Sequence, residues 1–138
     1  MLKSFTIDQL FVGLSVSSSH VITDEKIRLF ADITGDYNPI HLDANFAEKT
    51  RFGKRIAHGM LVGSFISALF AMKLPGQGCI YLSQNLSFKK PVYINDTVVA
   101  TVEVIAVDLP RKRVQFKTYC TVNNKMVIDG EAEIYVPD

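Results

Sequence analysis

The residues able to do chemistry stand in one stretch, Thr34-Gly35-Asp36-Tyr37-Asn38-Pro39-Ile40-His41-Leu42-Asp43, with Arg55-Ile56-Ala57-His58-Gly59-Met60 downstream. Asp36 and His41 are a carboxylate and an imidazole five residues apart, with a proline-constrained turn between them. That spacing lets both point at one small volume, where a water could be held by the two together. The same residues have an ordinary reading, because Asp and Asn are common turn formers and His41 could be a satisfied surface histidine. The residue types leave both open. A metal site on His41 and Asp43 lacks a third ligand in suitable company, so no metal is expected.

The elements around this stretch follow from periodicity. Thr23 reads as a helix N-cap followed by Asp24 and Glu25, acidic groups that suit the positive end of a helix dipole. Ile27, Phe30, Ala31 and Thr34 mark one face, and Gly35 is the stop. The segment Asp36 to Pro39 cannot continue the helix, since a residue preceding proline is pushed out of the helical region. Met60 to Met72 is an apolar run interrupted only by Gly63, Ser64 and Ser67. It is shorter than the roughly 20 residues a membrane span needs, and it reads as a buried helix that must be wrapped on most of its circumference. Ser64 and Ser67 are expected on its packed side.

After Pro75-Gly76 the period changes to two. Ile80, Leu82, Leu86 and Phe88 alternate with polar residues, as do Val114, Phe116, Thr118, Cys120 and Val122, then Met126, Ile128, Ala132, Ile134 and Val136. These read as half-buried strands, with Thr97 to Val107 as another and Asn123-Asn124 as a tight turn. A short strand near Ser15 to Ile22, then helices, then an antiparallel meander of four strands makes an α+β fold, with a curved sheet around a central helix.

Length and composition narrow the functional classes. The chain of 138 residues, 48% apolar, is expected to form a single domain over 1–138 without repeat or linker. With 15 basic and 14 acidic side chains the net charge is +1, which gives no electrostatic case for nucleic acid or an anionic membrane. Cys79 and Cys120 stand far apart and read as reduced structural thiols. Met1 to Leu10 carries Lys3 and Asp8 and no apolar core of signal-peptide length, so a cytoplasmic or organelle-matrix location is expected.

The segment from Ile33 to Leu61 resembles the hydratase motif of the MaoC-like, (R)-specific enoyl-CoA hydratase family: Gly-Asp, Asn-Pro, His, then His-Gly-Met. The pattern is met at Gly35, Asp36, Asn38, Pro39, His41, His58, Gly59 and Met60. The likeness extends through Leu74-Pro75-Gly76-Gln77-Gly78 and Tyr81 to Phe88, covering most of the chain. It implies a hot-dog fold with Met60 to Met72 as the central helix. The implied reaction interconverts a trans-2-enoyl thioester and an (R)-3-hydroxyacyl thioester. A 3-hydroxyacyl-carrier-protein dehydratase of fatty-acid synthesis shares this fold and chemistry, and a non-catalytic thioester-binding domain or a thioesterase are further readings.

By position, the resemblance makes Asp36 the base on the attacking water, and His41 the group that orients the water and supplies the proton. Asn38 would hold the loop. Gly59 would donate its amide to the thioester oxygen from the start of the central helix, a position that also suits simple helix entry. Ser67 lies near the acyl pocket in the family. Gln84, on the apolar phase of its strand, is either a buried amide satisfied by backbone or a polar contact near the thioester. Lys89 and Lys90, with Arg111, Lys112 and Arg113, are candidates for the phosphates of coenzyme A or phosphopantetheine. His58 is given no proton-transfer role. The substrate is an acyl-CoA or acyl-carrier-protein thioester with no separate cofactor. A homodimer or dimer of dimers is expected, because an open sheet edge needs a partner and family sites draw on two chains.

Overall fold

The computed structural model describes residues 4–138; Met1, Leu2 and Lys3, the last of which counted against an export signal, lie outside the described residues. Strand β1 (Ser15–Val21) leads to helix α1 (Asp24–Thr34), the short helices α2 (Pro39–Leu42) and α3 (Ala44–Glu48), and the long helix α4 (Gly59–Met72). The strands β2 (Ile80–Gln84), β3 (Ser87–Phe88), β4 (Thr97–Asp108), β5 (Arg113–Val122) and β6 (Lys125–Tyr135) follow.

The helix ends are set by local chemistry. Thr23 Oγ1 accepts the Lys26 amide at 3.1 Å and opens α1. Gly35 closes it at φ 78°, a left-handed conformation that favours glycine, and its N–H donates to Ala31 O at 2.8 Å. Asn38 then caps α2, its side chain accepting from Ile40 N at 3.2 Å, with Pro39 in the first turn, where a missing N–H costs nothing.

All strands join one antiparallel sheet in the order β1-β4-β5-β6-β2, with β3 also on β6. Only β4, β5 and β6 form a meander, not the four consecutive strands expected. Helix α4 packs against β1, β4 and β5 and carries the chain across the sheet, so β2 docks on β6 at the opposite end from β1. The β5–β6 turn is Asn123-Asn124, with φ values of 51° and 62°, as the residue types require.

Helix α4 buries Leu61, Val62, Ile66, Leu69 and Phe70 against a sheet lined by Val102, Val104, Phe116, Cys120 and Ile134. Each such side chain contributes about 1.5–3 kcal/mol on burial. Two expectations fail at one end of the molecule. Ser64 and Ser67 lie on an exposed stripe of α4 with Met60 and Met72, so the helix is wrapped on one side only. Strand β2 is exposed on both faces, and the single strand read from Ile80 to Phe88 is broken in two. The break has a local cause: Asn85 Oδ1 accepts from Glu131 N at 3.2 Å, substituting a side chain for a regular ladder partner. Among the described residues, no helix is long and apolar enough to cross a membrane.

Candidate active site

Three turns bring Asp36, His41 and His58 together so that one ligand-type atom from each lies within 4.8 Å of the others. Asp36 sits just past the Gly35 stop, and its carboxylate accepts from Asn38 N at 3.2 Å, closing a turn that exposes the acid. His41 is on α2 and buried. Its Nδ1 is 2.8 Å from Ile56 O, and because a carbonyl can only accept, Nδ1 must carry the hydrogen. In the neutral ring, Nε2 is therefore left as a lone-pair acceptor. Burial pushes the His41 pKa below its ordinary value, against the raising effect of the Ile56 carbonyl, so the ring rests neutral near pH 7.

Arg55 fixes the backbone beneath this ring. Its Nε donates to His41 O at 2.6 Å and one terminal nitrogen to Asp24 at 2.6 Å, tying the His41 segment to the start of α1. The Asp24 carboxyl is held below its usual range by Arg55 first and Arg28 second. Ile56 in turn bridges to Tyr93, and its N–H reaches Ile40 O at 3.3 Å.

Gly59 is the first residue of α4, so its amide has no acceptor within the helix, and no side chain caps that end. The residue is exposed. Glycine lets the Phe88 ring close over this end: a Cβ here would lie 2.7 Å from it and push the half-exposed ring aside. The free amides and the helix dipole make this end of α4 suited to a developing anion.

Asp36, His41, His58 and Gly59 all line one cavity of about 490 Å³, walled by Phe30, Phe52, Met60, Val92 and Phe88. Lys89, Lys90 and Arg51 stand around the same cavity. Arg111 is on the surface, while Lys112 and Arg113 pair with Asp138 and Glu133. Ser67 and Gln84 line a second cavity of about 480 Å³, which shares Phe30 and Met60 with the first. The Gln84 amide nitrogen is bonded to Asn85 O, Thr118 Oγ1 and Glu131 O, and its oxygen accepts from Tyr81. Asn38 lines neither cavity and acts on the loop through its cap.

The cluster that could hold a metal is Asp36, His41 and His58, without the Asp43 weighed from the sequence, whose carboxylate caps α3, and its geometry is poor for an ion. Imidazole lone pairs lie in the ring plane, and the His41 and His58 rings are stacked at 3.9 Å and 30° with one nitrogen of each already bonded to a carbonyl. The cluster is a hydrogen-bonded stack rather than a chelate. Arg55, Phe88 and the part played by His58 were missed in the sequence. An arginine beside the apolar pair Ile56-Ala57 was the available signal for Arg55, since a charge drawn inward needs partners.

The model of the MaoC like domain matches residues 13–126. An (R)-specific enoyl-CoA hydratase of Rhodospirillum rubrum is 49% identical over 125 residues, covering 91% of this chain and 87% of that protein. A 3-hydroxybutyryl-CoA dehydratase of Methylorubrum extorquens is 43% identical over 136 residues, covering 99% of this chain and 87% of its own length. Among solved structures, an R-hydratase from Pseudomonas aeruginosa superposes with a TM-score of 0.94 at 43% identity, covering 99% of this chain and 88% of that one.

Proposed function

The chain belongs to the MaoC like domain family, and from that premise we propose that it adds water reversibly to a trans-2-enoyl-CoA, giving the (R)-3-hydroxyacyl-CoA. It is a hydro-lyase with the hot-dog fold. The observation that carries this reading is the convergence of Asp36, His41 Nε2 and the free amide end of α4 on one largely apolar cavity.

The chemistry follows from what each group holds. The thioester oxygen lies against the Gly59 amide, which stabilises the enolate charge formed as the C2–C3 π pair moves toward the carbonyl. A water between Asp36 and His41 adds its oxygen to C3 and gives up a proton to the pair. His41 brings no proton of its own, because its one hydrogen, on Nδ1, is bonded to Ile56 O. The proton taken from the water therefore passes through His41 Nε2 to C2, the enolate collapses and both groups return to their starting states. This sharpens the division of labour expected from the sequence, in which Asp36 alone was the base and His41 the source of the proton. Coenzyme A is part of the substrate, and no separate cofactor enters any step. In this reading Lys89 and Lys90 meet its phosphates and the second cavity, with Ser67, receives the acyl chain; what supports it is that the lysines line the first cavity and Ser67 lines the second.

The acting unit in this proposal is a homodimer. The exposed β2 edge and the open stripe of α4 are the surfaces a second copy would cover. Hydration of crotonyl-CoA followed by chiral chromatography tests the reaction: the (R) product is expected, and mainly (S) product would overturn it. A fully active monomer at micromolar concentration in light scattering would overturn the dimer.

A further inference from the structure

From the contacts of His58 we infer that it is a positioning residue, one that locks the Asp36 loop, the His41 ring and the oxyanion amide into a single frame. The inference rests on the hydration reading above. His58 is buried, with 2% of its surface exposed, an uncommon degree of burial for an imidazole. It holds the loop by its edge: Nε2 lies 3.0 Å from Asp36 O, and since that carbonyl can only accept, Nε2 carries the hydrogen. It holds His41 by its face, with ring centroids 3.9 Å apart at 30°, while Phe30 supports it at 4.9 Å and 53°. Its backbone is the N-cap of α4, immediately before Gly59.

Three groups of the proposed site, from two distant parts of the chain, thus meet on one residue: two on its side chain and the third on its backbone. Asp36 leaves α1, His41 sits on α2 and Gly59 begins α4; Arg55 ties His41 to the start of α1 and Ile56 O holds the His41 ring, while His58 is the residue that touches the Asp36 backbone and the His41 ring and directly precedes Gly59. The other ring nitrogen strengthens the case. His58 Nδ1 is buried with no hydrogen-bond partner among the described residues. A chain selected for stability alone would put an apolar ring there, since a buried unmatched acceptor destabilises the fold. Retaining the nitrogen pair at that cost is what a directional Nε2 donor toward Asp36 requires.

Two variants separate the edge contact from the face contact. His58→Phe keeps an aromatic face against His41 and removes both nitrogens, whereas His58→Gln offers an amide donor near the former Nε2 and removes the stack. His58→Phe is expected to lower kcat by about 10- to 100-fold, the scale of an ångström-sized misplacement, with KM changed by less than about threefold. Its Tm should not fall, because the unmatched nitrogen is gone and water can reach the carbonyl of exposed Asp36. His58→Gln should recover at least about fivefold of the lost kcat. A purely structural role would instead lower Tm and leave the kcat of the folded enzyme intact. A His58→Phe enzyme with kcat within about threefold of the parent, or a Gln variant no better than Phe, overturns the proposal. Nitrogen-15 NMR of the parent gives a readout that needs no turnover: His58 should show the Nε2–H tautomer and His41 the Nδ1–H tautomer. An Nδ1–H tautomer at His58 overturns the anchor whatever the kinetics, while a parent with the expected tautomers but no hydration of crotonyl-CoA overturns the reaction and leaves the anchor standing.

Discussion

The two ends of the sheet solve the same problem in opposite ways. At the β1 end the chain finishes its own edge. Leu14 O accepts from Val104 N and Ile22 N donates to Asp96 O, so the even-numbered residues face inward and the odd-numbered ones turn their polar groups outward. Two lysines meet those outward carbonyls, Lys73 Nζ at Ser17 O (3.0 Å) and Lys26 Nζ at Val21 O (2.7 Å). His20 stacks on Phe65 at 4.0 Å behind them. Lysine is a poor partner for another strand, and this edge is closed to pairing. At the β2 end nothing among the described residues plays that part: Ile80, Tyr81, Leu82 and Phe88 are all exposed. Both cavities lie on this side, and so do the carboxylate, the bare imidazole nitrogen and the free amides. Polar groups matched within the chain give stability, and groups left unmatched are available to a substrate or a second copy.

The largest test of that contrast removes the unmatched groups. Asp36→Asn and His41→Ala should each lower kcat by on the order of 10² to 10⁴ with a smaller change in KM, the usual range for a positioned acid or base. If one proton travels through the pair as proposed, the double variant should be little slower than the worse single one, and multiplicative losses in stopped-flow assays would show independent action. Circular dichroism confirms folding first.

Next in size is a charge at the open edge. If the proposed homodimer forms through this edge, Leu82→Asp should give a monomer in light scattering and lower activity by about tenfold or more, since an unpaired carboxylate in a buried interface is strongly unfavourable. Retention of the dimer would move the interface elsewhere.

A smaller effect comes from pH. His41 and His20 are both harder to protonate in the folded chain than their ordinary 6.5, chiefly through burial, with Lys26 and Lys73 adding to the effect at His20. Between those lowered values and 6.5 the unfolded chain binds more protons, so stability should fall as pH drops through that window and level off above it. The acid limb of kcat/KM, set by His41, should have its midpoint below 6.5. Urea titrations and rate profiles from pH 5 to 8 check both, and a midpoint above 6.5 would contradict the burial argument.

The smallest effect is expected at the closed edge. Lys26→Ala and Lys73→Ala should change stability by about 0.5 kcal/mol or less and leave the oligomer unchanged, because exposed lysine contacts contribute little. Their removal should raise the tendency to aggregate on warming, measured by turbidity, if the lysines guard the edge.

Most of the local structure was legible in the sequence because local chemistry decides it. Thr23 and Gly35 bound α1, Pro39 forces the turn after Asp36, Asn123-Asn124 makes the hairpin, and the alternation around Phe116 is the inner face of β5. Each needs only a residue and its near neighbours. The motif residues Asp36, His41 and Gly59 were nameable only through the family resemblance that the motif carries, since their types and spacing alone left ordinary turn and helix-entry readings open. What periodicity could not supply was the surroundings of each face. Leu82 and Met60 look like core residues in any window, and only the sheet order β1-β4-β5-β6-β2 leaves them uncovered. The Asp36–His58 contact joins residues 22 positions apart through a carbonyl, a group every residue carries, so no side-chain pattern can announce it. Tertiary structure alone decided which nitrogen of His41 is free, and with it the route a proton can take, because that depends on where the Ile56 carbonyl comes to rest.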